Sequence, residues 1–544
     1  EKAVDMEAIP MEKQVVESTR HEAGPEVLGS HVHSSMNRDE QEMAFFGKTQ
    51  QLKRNFGFLS IAGFVCSLLS TWEGLFGVFL YGLQNGGCRF LGDNIIGNLS
   101  STLDQSPSSL YVNLLKWVSI LAPDSFGKFL SYLTGWITLI GWQSGLASVA
   151  FLGASILQGL VVLNHDEYMP TRWQGTLIFY AIIAFIVFVN TYLARWLPKI
   201  EGLVLCIHIL GFFAVLIPLV YLAPHSSSED VFKTFRNGGG WSSDGISFFV
   251  GLVTSIFSFL GADSACHMGK ETTFLQKVFS PDNHLAEEIH NASTVVPWAM
   301  VFSVALNGAM GFGMLIALLF CLGDIDSALE SPTGFPFIEI FRQATNSKAG
   351  ATIMTCIIMV IVLAAAIGIM ATSSRLLWSF ARDGGVPFSR YINRVHLKTA
   401  LPLYSILVST LISLLLVLIN IGSTTAFNAF ISVNCSAFYS SYLIPISLLL
   451  FKRLRNDPVK DKIRWGPWYL GKKIGPLVNI GAIIYTIIAL FFSFWPATEE
   501  VTLANMNWSV LIFGATVLFS VGFYFVGGKE GFKWPVVDVL KRTR

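Results

Sequence analysis

Two carboxylates sit where the surrounding sequence is apolar. Glu73 lies in Ser70-Thr71-Trp72-Glu73-Gly74, inside an apolar run over 57–83. Asp263 follows Gly261-Ala262 near the middle of a second run, VGLVTSIFSFLGADSACHM, over 250–268. A charged side chain at membrane depth costs a few kcal/mol and usually faces a cavity or a partner. Glycine beside it lets the backbone leave helical geometry at little cost. A broken helix is tolerated in a bilayer only where it is buried in protein or lines a wet cavity. The amides and carbonyls freed at such a break can hold a polar solute at mid-membrane. Each carboxylate keeps a plainer reading: Glu73 as a structural group packed on a neighbour, Asp263 as the wet end of a kinked span.

The elements around them are membrane spans. The chain has 544 residues, 52% hydrophobic and 13% charged, where charged residues supply about a quarter of a soluble protein. Apolar runs of about 20 residues, each long enough to cross a bilayer core, are expected at 57–83, 129–162, 174–193, 201–223, 246–268, 295–322, 350–373, 401–420, 427–451, 475–495 and 507–527. This predicts an all-α polytopic membrane protein. A polar tail over 1–46 reads as disordered, with the transporter domain over 47–528 and a short cytoplasmic tail over 529–544. No signal peptide is read before the first run. The seven cysteines show no metal-ligand spacing and read as apolar packing residues. His21, His31 and His33 could suggest metal binding but lie in the flexible tail, and Glu287-Glu288 with His290 is not the HExxH arrangement and reads as negative charge in the first turn of the next helix. Asn98, Asn291, Asn434 and Asn507 open N-x-S sequons, of which Asn434 lies within a span.

Basic residues mark the cytoplasmic side. Arg375, Arg382, Arg390, Arg394 and Lys398 follow the run at 350–373, and Lys452 to Lys473 follow 427–451, while the alternate loops are poor in them. Both termini are therefore expected inside. That requires an even number of crossings before residue 129, and only one is clear. Residues 88–116 carry Arg89, Asp93, Asp104 and Pro107 and leave no run long enough to cross.

The motifs LKRNF (52–56), STWEG (70–74), NGG (85–87), KFLSYLTGWITLIGWQ (128–143), FLGADSACHM (259–268), AEEIHNASTVVPWAM (286–300) and SRLLWSFARDGGVPFS (374–389) carry a resemblance. Over about 48–530 the chain resembles the fungal amino acid, GABA and choline permeases of the amino acid–polyamine–organocation superfamily. The resemblance implies a five-plus-five inverted-repeat, leucine-transporter-like fold with two C-terminal helices, here with the second helix missing or degraded over 88–116. It implies secondary active transport, as a proton symporter, of an amino acid, GABA or choline-like amine across the plasma membrane, with no enzyme activity and no cofactor or metal. By position, the substrate site would comprise Thr71, Trp72, Glu73 and Gly74 from the first broken helix. From the sixth it would comprise Gly261, Ala262, Asp263 and Ser264, with Phe257 as an aromatic gate. Arg375 and SFARDGG match the cytoplasmic loop after the eighth helix.

The chemistry is consistent with that site. A half-helix N-terminus suits a carboxylate, and a half-helix C-terminus presents carbonyls to an ammonium. A quaternary amine would add an aromatic cage, for which Trp72, Trp136, Trp142, Phe257 and Tyr439 are candidates. Low-dielectric surroundings disfavour a charged carboxylate, which makes Asp263 the candidate for ion coupling. The partners expected are a small amine, protons and the lipid bilayer, with no nucleic acid. Two alternatives stand beside this: a non-transporting nutrient receptor of the same fold, and a non-functional product of a damaged or misread gene. The second draws on Gly269 to Leu285, which separates HM from AEEIHNAS. Those residues can be encoded with intron-like borders and read as a retained in-frame insertion; the competing reading is a regulatory loop around Ser280-Pro281.

Overall fold

The computed structural model describes residues 58–86, 118–264, 292–422, 426–455 and 470–533, apart from single positions at 120, 124, 397, 398, 400 and 504. The expectations for 1–46, 88–116, 269–285 and 534–544 lie outside the described residues. The chain divides into Glu1–Thr49 and Gln50–Arg544; all that follows concerns the second unit.

The main helices are α1 (Phe58–Leu69), α2 (Thr71–Gln84), α3 (Gly127–Asn164), α4 (Arg172–Tyr192), α5 (Leu197–Leu222), α6 (Asp244–Phe257), α7 (Ala292–Phe320), α8 (Pro336–Thr345), α9 (Lys348–Arg382), α10 (Leu403–Val417), α11 (Ala426–Arg455), α12 (Gly471–Phe492) and α13 (Ser509–Phe523). Among the described residues, ten segments are long and apolar enough to cross a membrane, with α1 and α2 counted as one. The eleventh expected span is α6, which at 14 residues is too short to cross alone. It ends at Phe257, earlier than the expected interruption at 261–263. The span at 350–373 is also longer than expected: α9 runs to Arg382, so Arg375 stands on a helix rather than in the loop.

α3 is the axis of the bundle. Its 38 residues reach about 57 Å, well beyond a hydrocarbon core of about 30 Å. It packs on α11 and α9, and small residues let those backbones come close. A methyl built on Gly141 would stand 3.4 Å from Ala437 and Phe438, and one on Gly153 would stand 3.3 Å from Leu363. The outer helices turn apolar side chains outward, as Leu210 and Ile217 on α5 and Leu511 and Leu518 on α13 do. That is the face a lipid solvent requires.

The two breaks differ in build. Between α1 and α2 the interruption is Ser70 alone, at φ +38°; Thr71 to Gly74, expected to be unwound, form the first turn of α2. The Ser70 hydroxyl donates to the Ser67 carbonyl at 2.5 Å, the acceptor that the Thr71 amide would otherwise use. That amide donates instead to Asn307 Oδ1 on α7, 3.3 Å away. After α6 the break is wider. Two tight turns link Phe259 N to Ile256 O and Leu260 N to Phe257 O. Gly261 then takes φ +101°, a region that an L-residue enters only with strain.

Candidate functional site

The two breaks border one cavity of about 60 Å³, closed in by α3, α9 and α11. It is large enough for several waters. Ser70 and Gly74 line it from the first break, Phe257, Ser258 and Gly261 from the second, Trp142 from α3, and Asn434 and Phe438 from α11. The helices nearly touch there, since a methyl built on Gly74 would lie 4.0 Å from Ser258 Oγ. The Asn434 amide donates to the Gly141 carbonyl at 2.8 Å. The Trp142 ring meets Phe438 edge-on at 5.2 Å. Among the described lining residues no side chain is charged.

Of the expected site residues, Gly74, Phe257 and Gly261 line this cavity, and the others stand behind it. Thr71 and Trp72 are fully buried, and Trp72 packs against Phe212 and His208. Ala262 is buried against Val65 and Leu69 of α1 and Ala299 of α7. Asp263, 6% exposed, accepts a hydrogen bond from Tyr442 Oη at 2.9 Å. Glu73 turns to α5, where its Oε1 lies 2.6 Å from His208 Nδ1, both side chains wholly buried. Thr71 Oγ1, Trp72 Nε1, Glu73 Oε2, His208 Nε2 and Ser264 Oγ have no hydrogen-bond partner among the described residues. Buried polar atoms are seldom left so; none of these five residues lines the cavity. Of the other aromatic candidates, Trp136 donates to the Gly385 carbonyl at 3.0 Å, and Tyr439 packs on Tyr442 and Tyr485. Neither lines the cavity.

Sequence reasoning placed a span at 201–223 but missed two polar residues of α5, Glu201 and His208. Glu201 and His208 stand seven residues apart, two helical turns, and so share a face. Ser67 Oγ donates to Glu201 Oε2 at 2.5 Å, which ties α5 to α1 below the break. The signal was present: an acid and a histidine inside an apolar span are each expected to have a partner or a function.

The amino acid permease family model matches residues 117–516, well over half the chain. The chain belongs to the amino acid permease family. It is 31% identical to a choline transporter of Saccharomyces cerevisiae over 88% of this chain and 83% of that protein. It is 32% identical to a putative amino acid/polyamine transporter of Macrophomina phaseolina over 82% of this chain and 96% of that one. Among solved structures, a manganese transporter of Eremococcus coleocola shares the fold at 13% identity, with a TM-score of 0.50 over 90% of this chain and 98% of its own. This amino acid permease is thus an integral membrane protein of leucine-transporter-like architecture, with α12 and α13 following the two repeats.

Proposed function

We propose that this permease is a secondary active transporter that carries a small amine across the plasma membrane with protons, both termini lying in the cytoplasm. The observation that carries the reading is the meeting of two broken helices at one cavity. The end of α6 offers carbonyls to an ammonium, and Trp142, Phe257 and Phe438 surround the space with aromatic faces. A quaternary amine gains about 0.5–2 kcal/mol from each such face. The lining holds no cationic side chain, and at the N-terminus of α2 the Thr71 and Gly74 amides are already taken by Asn307 Oδ1 and the Ser70 carbonyl, so a choline-like solute is favoured over a zwitterion. The relative named as a choline transporter points the same way. Ion coupling is assigned to Asp263, buried beside the second break and held by Tyr442, with Glu73, Thr71, Trp72, Ala262 and Ser264 shaping the wall behind the cavity.

The test is uptake of labelled choline into proteoliposomes holding the purified chain, with the inside alkaline. Uptake should fall as external pH rises and collapse with an uncoupler, and choline should compete where GABA does not. Asp263→Asn should lose accumulation more than binding. Gly74→Ala meets nothing closer than 4.0 Å, so it should fold normally and weaken uptake by narrowing the cavity. Saturable binding without flux would favour the receptor alternative. Uptake indifferent to an uncoupler would refute proton coupling.

A further inference from the structure

We propose that the seam between α11 and α12 is a wet polar passage, along which the coupling proton moves between Asp263 and the basic ends of the two helices. The proposal rests on the transporter reading, with Asp263 as the ion-coupling group, and adds the route by which its proton leaves. The two helices run antiparallel. A methyl built on Gly475, one turn into α12, would collide with the Arg453 guanidinium near the end of α11. Farther along, the Tyr439 and Tyr485 rings meet edge-on, 6.0 Å between centres. Asn479 of α12 and Tyr442 of α11 lie between these two contacts. Tyr442 is the residue whose hydroxyl donates to Asp263 Oδ1 at 2.9 Å. The seam therefore has Asp263 at its inner end and Arg453 at its mouth, with Lys472 and Lys473 on the turn before Gly475.

The chemistry of the seam does not suit a helix that only packs. Asn479, Ala482 and Thr486 stand at i, i+3 and i+7, on one side of α12, and all three are buried. Asn479 is wholly buried, and neither its Nδ2 nor its Oδ1 has a hydrogen-bond partner among the described residues. The Thr486 hydroxyl is wholly buried and without a partner there too. An asparagine side chain can donate two hydrogen bonds and accept two, and leaving such a group unmet in a low-dielectric interior is costly. An apolar residue of the same size would spare that cost. Ala482 between the two polar residues adds no bulk. Water drawn between the helices satisfies the amide and the hydroxyl together. From Gly475 to Thr486 the face extends about 16 Å along the helix axis, a depth that reaches from the mouth to the level of Tyr442.

α12 also packs on α6, where Phe492 stacks on Phe249 at 5.0 Å. Its buried side thus faces the helix that leads to Asp263 and the helix that bonds it. In transport the proton leaves the Asp263 carboxyl for the water of the seam, directly or through Tyr442 Oη, which gives up one proton as it takes another. The carboxylate left behind keeps the Tyr442 hydrogen bond. The other titratable groups on the three helices are Cys435 and Tyr439 of α11 and Tyr485 of α12, with Asp244 at the far end of α6 and the basic side chains at the mouth. None of them stands within the seam as a carboxyl or imidazole that would hold the proton on its way.

The test uses the full chain, purified and in proteoliposomes, with choline as the probe and a pH-sensitive dye inside. Asn479→Leu and Thr486→Val remove polar groups without partners at nearly constant size. Both should melt at or above the wild-type temperature and bind choline with wild-type affinity. Net choline uptake and the proton entry that accompanies it should slow together, roughly tenfold, the effect of one lost hydrogen-bond partner on a rate. Exchange of choline for choline at equal pH returns the carrier still protonated, so its rate should stay that of wild type. Asn479→Ser, which keeps a polar group in the seam, should recover much of the net uptake. Wild-type net uptake in both variants, or exchange slowed as much as net uptake, would overturn the passage and leave the transporter reading standing. Wild-type choline uptake without proton entry would instead remove the coupling on which the passage rests.

Discussion

Replacing His208 by leucine should harm this protein more than replacing the whole pair. Glu73 Oε1 and His208 Nδ1 lie 2.6 Å apart with both side chains at 0% exposure. Removing one partner of a buried pair leaves the other desolvated and unpaired, at a cost of about 3–5 kcal/mol. Replacing both by apolar groups of similar volume is often neutral or stabilising. The expected order of stability is therefore wild type and Glu73→Leu/His208→Leu together, with each single variant well below. With each single variant losing about 3 kcal/mol or more and the double variant near wild type, the coupling from the double-mutant cycle should be about 6 kcal/mol or more. The assay is thermal and denaturant unfolding of the detergent-purified chain, with choline uptake measured alongside. A His208→Leu variant as stable as the double variant would refute the reasoning, since it would mean that Glu73 needs no partner. A stable double variant without uptake would assign the pair to transport rather than to folding.

Further outcomes follow from other contacts. Gly145→Ala would place a methyl 2.7 Å from Asn434 Nδ2, so it should push Asn434 off the Gly141 carbonyl and lower choline affinity severalfold in a binding assay while Gly481→Ala, which meets nothing within 4 Å, changes little. On α8, burial alone would lift the Glu339 carboxyl, but hydrogen bonds from Arg342 and Gln343 and the guanidinium charge outweigh it and hold the group below its ordinary range. Its contribution is present above the unfolded-state value and is lost as pH falls through the lower folded value, so Glu339→Gln should cost about 1 kcal/mol or less at pH 7 and nothing in strong acid, as read from melting curves. Deleting residues 269–285 should leave folding and uptake intact or improved, and spliced transcripts should lack the corresponding 51 bases; a deletion that abolishes folding would make the segment a working part of the protein.

The architecture was legible because bilayer-length apolar runs separated by polar segments leave little choice of fold. Gly261 and Ser70 could be read as breaks for the same reason: a polar residue and a glycine inside such a run have few other uses. What escaped was direction. Spacing put Glu73 at the break but could not say that its carboxylate turns towards α5 instead of the cavity, because that depends on His208, 135 positions away in sequence. The extent of the first break was overread for a similar reason. Ser70 confines it to one residue by bonding Ser67, and Asn307 on a distant helix receives the displaced amide. Trp136 and Trp142 look alike in KFLSYLTGWITLIGWQ, yet one caps a loop carbonyl and the other lines the cavity, a difference set by helical phase against α11.

The unequal build of the two breaks gives the transporter one stiff joint and one soft joint. Ser70 is a side-chain-bearing residue in a left-handed conformation, locked by its own hydroxyl and by Asn307, so α1 and α2 behave as a single bent rod. Gly261 carries no Cβ and can pass between mirror conformations freely. Rocking of one half of the fold against the other would then bend mainly at Gly261, with the first broken helix as the rigid lever that transmits it. In such a machine the turnover rate is governed at one hinge and the geometry of the solute's seat at the other, so the two properties can be altered separately.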